Sequence, residues 1–190
     1  YNLLKDSEYF RHFFSFAGNF NEAQDLPEVI ASYFHQSISA ISADHLLMSS
    51  DNGLKKMAQK GVIGVMLPGT PFSLMMKEYA NARKMIDMAI PVALATDLNP
   101  NCYIENMQFM IQLACFNMKM TPAEAVCAAT FNAACSIDIN DTVGSLEKGK
   151  QADIIILDAD DYRFLPYFYG GNLVRTVIKN GKIVVPSSRE

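Results

Sequence analysis

Apolar positions along the chain fall in short unbroken runs separated by amphipathic stretches. The first run, Ile38 to Ala43, is β-compatible. Ser49, Ser50 and Asp51 then offer N-caps for a helix reaching Lys60, which Gly61 stops. Val62 to Leu67 is continuously apolar and closed by Pro68-Gly69, as suits a strand buried on both faces of a parallel sheet. A helix over Met75–Met88 leads into a third run, Pro91 to Ala95, that ends at Thr96-Asp97. After the Asn99-Pro100-Asn101 turn, Ile104, Met107, Ile111, Cys115 and Met118 recur at helical spacing. Thr121-Pro122-Ala123-Glu124 is a capping box with proline in the first turn. The middle of the chain therefore predicts β-α-β-α-β-α, a parallel sheet with right-handed crossovers.

Beyond residue 140 the pattern changes. Ile154–Leu157 and Val174–Val185 are β-rich, and Lys179-Asn180-Gly181-Lys182 has the composition of a two-residue hairpin turn. Residues 1–37 carry Phe10, Phe13, Phe14, Phe16 and Phe20 and remain unassigned. The domain expectation is an unassigned 1–37, an α/β unit over 38–140 and a small β unit over 141–190.

With half of its 190 residues hydrophobic and 19% charged, the chain has material for a sizeable core. A formal charge of −4 gives no electrostatic reason to expect nucleic acid or an anionic membrane as partner. The four cysteines, Cys102, Cys115, Cys127 and Cys135, form no C-x-x-C pair and read as reduced thiols. No apolar run nears the roughly 18 residues of a membrane span, and no signal pattern opens the chain. A soluble, cytoplasmic protein is expected.

Candidate chemistry lies where the strands end. His45 closes the first, Pro68-Gly69 the second and Asp97 the third. Parallel α/β folds bind ligands at the carboxyl ends of their strands, so these positions face one mouth. A carboxylate there can ligate a divalent cation or take a proton from attacking water, and an imidazole can stabilise an oxyanion or shuttle the proton. Read singly, His45 is a hydrogen-bonded histidine at a strand end, and Asp97 is a turn residue bonding its own backbone. Their joint placement is what suggests a site. His12 and His35 are assigned to structure, and the methionines to core filling.

Several segments carry a resemblance. Ser-Ala-Asp-His-Leu (42–46), Met-Leu-Pro-Gly-Thr (66–70), Ala-Thr-Asp-Leu-Asn-Pro (95–100), Thr-Pro-x-Glu-Ala (121–125) and Gly-Ser-Leu-Glu-Lys-Gly-Lys-Gln-Ala-Asp (144–153) together resemble the amidohydrolase superfamily and, within it, the imidazolonepropionase family. The likeness covers about residues 38–185. It implies an α/β fold comprising the C-terminal part of a (β/α)8 TIM-like metallohydrolase barrel plus strands of a small β-sandwich domain, the three runs being barrel strands six to eight. It implies a divalent metal, zinc or iron, with Asp97 as metal ligand and base and His45 as catalytic histidine. Asn99, Asn101 and Cys102 would touch substrate. The implied reaction opens the ring amide of 4-imidazolone-5-propanoate to N-formimidoyl-glutamate in histidine degradation. The alternatives are another cyclic amidohydrolase or deaminase, and a truncated non-catalytic relative.

The family pattern is not met throughout. Asn101 and Cys102 stand where the family has Gly and then Ser or Thr, and Glu22 stands at the spacing of the fifth-strand metal histidine. The metal role is not carried over to Glu22. With first-strand ligands also missing, the chain is expected to be inactive alone and to be a fragment or one piece of a larger assembly. Its expected partner is a small-molecule substrate, with a homodimer of the full-length parent also admitted.

Overall fold

In a computed structural model of the protein, residues 40–100 and 102–186 are described. Strand β1 (Ser42–Asp44) leads to helix α1 (Asp51–Lys60) and strand β2 (Ile63–Met66). Helices α2 (Gly69–Ser73) and α3 (Ala82–Asp87) precede β3 (Val92–Leu94), and α4 (Met107–Asn117), α5 (Pro122–Ala129) and α6 (Phe131–Ser136) follow it. Beyond these lie β4 (Ile154–Leu157), a short α7 (Phe164–Tyr167), β5 (Val174–Lys179) and β6 (Lys182–Val185).

β1, β2 and β3 form a parallel sheet in chain order, with Ala43 opposite Gly64 and Val65 opposite Ala93. The side chains of β2 alternate between two apolar layers. Met66 packs with Val92, Leu94, Met85 and helix residues such as Leu54, Ile111, Ala114 and Ala125. Ile63, Val65 and Leu67 gather with Ala93 on the opposite face. A strand buried on both sides must be apolar throughout, which accounts for the unbroken runs.

Local signals set most boundaries. The Ser50 hydroxyl accepts from the Gly53 N–H at 3.1 Å to cap α1, and Gly61 ends that helix at φ 69°. The expected helix over Met75–Met88 is instead interrupted. Met75 has φ 52°, and the Asn81 side chain accepts from the Lys84 N–H at 3.0 Å, starting α3 afresh at Ala82. The apolar spacing through 75–81 suggested a helix, but the cap at Asn81 governs where it starts.

The capping box at α5 is present, with the Thr121 N–H donating to Glu124 Oε2 at 2.7 Å and the Glu124 N–H to Thr121 Oγ1 at 3.3 Å. Arg83 of α3 donates to the same carboxylate. The Arg83 guanidinium, joined by Thr121 and opposed by partial burial, holds Glu124 below its ordinary value near 4.5. A lowered folded-state pKa stabilises the fold above the ordinary value, and that contribution fades as pH falls below it. Glu124→Ala should cost about 1 kcal/mol, the usual price of a lost cap. The penalty should shrink in melts run well below pH 4.5.

The second sheet is antiparallel, in the order β4-β5-β6. Asn180 (φ 51°) and Gly181 (φ 74°) form the two-residue turn between β5 and β6, both in the left-handed region such a turn needs. Asp153 explains the end of the 144–153 motif. Its Oδ1 accepts from the Asn180 N–H at 2.8 Å, its Oδ2 accepts from Gln151 at 2.9 Å, and Lys179 donates to it as well. These donors, Lys179 foremost, pull its pKa from 3.8 to about 2. The Asp153 carboxylate should stay charged in the folded hairpin as pH falls through 3.8, while its contribution to stability fades progressively between 3.8 and about 2. An NMR titration of the Asp153 carboxyl carbon checks this, and a midpoint near 3.8 would contradict it.

The two sheets are joined through α4. Gln112 donates to the Leu165 and Phe168 carbonyls at 3.1 and 3.4 Å, while Gln108 accepts from the Leu173 N–H at 3.0 Å and donates to Asn172 at 2.8 Å. Among the described residues, no helix is long and apolar enough to cross a membrane.

Candidate active site

Three strand ends converge. The His45 N–H donates to the Val65 carbonyl at 3.0 Å and the Ala95 N–H to the Met66 carbonyl at 3.1 Å, so both loops start from positions fixed by the central strand. His45 (φ 65°), Leu46 (φ 57°) and Asp97 (φ 55°) all turn in the left-handed region as the chain leaves its strands. Non-glycine residues take up this conformation at a cost, and it concentrates at functional sites.

The turns bring His45 Nε2 to within 3.8 Å of Asp97 Oδ2, although the two residues are 52 positions apart in sequence. The His45 side chain is half exposed and that of Asp97 largely covered. Thr70 Oγ1, from the start of α2, donates to the same Asp97 oxygen. Asp97 therefore bonds a side chain from another strand end, which a purely local turn residue would not do.

Asn99 folds back on this turn. Its Nδ2 donates to the Asp97 carbonyl at 2.6 Å, its Oδ1 accepts from the Cys102 N–H at 3.2 Å, and its backbone bridges to Cys102. Cys102 is buried, its thiol 3.4 Å from Ser73 Oγ and packed toward Gly69. Its place is inside the loop, which argues for packing over the expected substrate contact. Asn101 lies outside the described residues, as do His12, His35 and Glu22.

A cavity of about 130 Å³ opens beside the pair, lined by His45, Leu67, Pro68, Thr70, Tyr79 and Met118 among others. Thr70 and Tyr79 received no role from sequence. For Thr70 the available signal was its position at the end of the second strand, just after Pro68-Gly69.

Among the described residues, no three His, Cys, Asp or Glu side chains gather as a metal site would need. The carboxylate of Asp97 and the imidazole of His45 fit one side of a divalent-cation site.

This chain belongs to the amidohydrolase family, whose profile matches residues 7–184. Among curated relatives, the imidazolonepropionase of Alkaliphilus metalliredigens is 49% identical over 153 residues, covering 80% of this chain and 36% of that protein. The imidazolonepropionase of Geobacillus thermodenitrificans is 54% identical over 149 residues, 78% of this chain and 35% of the relative. The chain thus spans about a third of the length of these proteins. An adenosine deaminase from Xanthomonas campestris, solved with bound zinc, has a similar fold at TM-score 0.72 and 20% identity, covering 87% of this chain and 44% of its own.

Proposed function

We propose that the chain is the C-terminal part of a metal-dependent hydrolase that cleaves a cyclic amide C–N bond. Its substrate is 4-imidazolone-5-propanoate, and its product is N-formimidoyl-L-glutamate. The observation that carries the reading is the His45–Asp97 pair, 3.8 Å apart at the ends of β1 and β3. The names of the relatives at about half identity support the substrate. In the same reading β1, β2 and β3 are strands six to eight of a (β/α)8 barrel, within a unit over 38–140. The antiparallel sheet, within 141–190, is part of a small β-sandwich domain.

Asp97 contributes one ligand to a divalent cation, zinc or iron, which would lower the pKa of a water and polarise the ring carbonyl. The Asp97 carboxylate orients the attacking water and accepts its proton. His45, half exposed at the mouth, stabilises the oxyanion that develops on the carbonyl. Asn99 shapes the loop beside them and is positioned to meet the substrate. The four unpaired cysteines suit a reducing, cytoplasmic location.

The test supplies zinc or iron to the natural polypeptide carrying these residues and follows formation of N-formimidoyl-glutamate by mass spectrometry. Metal-dependent turnover supports the hydrolase. Among the described residues no third donor joins the pair, which favours a second reading, a non-catalytic relative. A protein that retains no stoichiometric metal and gives no turnover establishes that alternative.

A further inference from the structure

The hydroxyl of Thr70 has no role in the chemistry so far, yet it bonds the carboxylate on which that chemistry depends. Asp97 is held at two points. Asn99 Nδ2 grips its carbonyl at 2.6 Å, and Thr70 Oγ1 donates to its Oδ2, the oxygen that also faces His45 Nε2 at 3.8 Å. A carboxylate at the end of a short strand is free to rotate about its side-chain bonds. A single hydroxyl from a separately anchored element removes that freedom.

The anchoring element is built for close approach. The Thr70 N–H bonds the Leu67 carbonyl at 3.3 Å. Gly69 beside it is closely packed: a Cβ there would lie 3.2 Å from Cys102 Sγ and from Ile104 Cγ2, so those side chains would have to give way slightly. Glycine lets α2 settle against the segment that follows Asp97, which brings Thr70 to the carboxylate.

We propose that Thr70 is a positioning residue: it orients the Asp97 carboxylate toward His45, leaving Oδ1 to engage what the site holds. The inference rests on the hydrolase reading for its effect on rate, but its geometric content stands apart from it.

The test compares Thr70→Val, which keeps the shape and loses the hydroxyl, with Thr70→Ser, which keeps the hydroxyl, in the natural polypeptide. Crystal structures of both should show the Asp97 carboxylate turned away from His45 in Thr70→Val and retained in Thr70→Ser. In Thr70→Val, kcat should fall by about 10–100-fold, the range seen when groups that orient metal ligands are removed. KM should stay within about 3-fold, and Thr70→Ser should recover kcat to a similar margin. An Asp97 carboxylate that keeps its orientation in Thr70→Val would overturn the proposal, as would an undiminished kcat. If the unaltered protein gives no turnover, the hydrolase reading fails, and the carboxylate orientations alone decide for or against Thr70.

Discussion

On the proposed hydrolase reading, Asp97→Asn should lower turnover of the imidazolone by about 10³-fold, within the range for loss of a group that takes a proton in the transition state. The substitution keeps the shape of the side chain. Its amide oxygen can still accept from Thr70, and its carbonyl can still accept from Asn99. What disappears is the negative charge and, with it, the basicity of the oxygen facing His45. The melting temperature should therefore stay within about 2 °C, under about 1 kcal/mol for a chain of this size. Steady-state kinetics beside a thermal melt measures both. Activity within about 10-fold of the parent would remove Asp97 from the chemistry, because the oriented neighbours alone would then suffice.

The largest loss of stability is expected from Gly144→Ala. Gly144 stands at φ 93°, where an L side chain is strained by about 1–2 kcal/mol. Its new Cβ would lie 2.6 Å from Ala134 Cβ, with Thr130 O at 3.2 Å and Phe131 Cα at 3.3 Å. None of these is the flexible end of a long side chain, so the clash adds about 1–3 kcal/mol of overpacking. A total near 3 kcal/mol is expected on these two counts. Gly149→Ala provides the control. Its φ of 97° is similar, but nothing lies within 4 Å of the added carbon, so only the backbone strain should appear. Urea denaturation of the pair separates the two contributions, and equal losses would show that the packing against α6 carries no weight.

The parallel sheet was legible because its strands are buried on both faces and so appear as unbroken apolar runs. Ile63 to Met66 and Val92 to Leu94 fall inside the expected runs, while β1 begins at Ser42, near the end of its run. The hairpin was equally legible, since Asn180-Gly181 is a turn composition with few alternatives. His45 and Asp97 were found by their places at strand ends, and the structure brings them together.

Other features needed information from distant parts of the chain. Thr70 and its acceptor Asp97 are 27 residues apart, and its place after Pro68-Gly69 at the end of the second strand does not tell which side chain it bonds. Helix α7 is only four residues long and too brief for any periodicity to reveal. The 144–153 motif was visible as a pattern, but its physical reasons were not. Gly144 is fixed by a neighbour ten residues back, and Asp153 by a turn 27 residues ahead.

The clasp from α4 has a consequence for how this surface can change over time. Gln112 and, in part, Gln108 bond main-chain atoms of Leu165, Phe168 and Leu173. Main-chain groups are offered by nearly any residue, so these bonds constrain the two glutamines more than the side chains of Leu165 and Phe168 that supply the carbonyls. Tyr167, strongly exposed, can drift to other residues without loosening the connection, whereas Tyr169 meets Phe116 of α4 edge to face. Inheritance is thus unequal across the joint: the two glutamines must be transmitted faithfully, while a position such as Tyr167 in the segment they grip is open to variation.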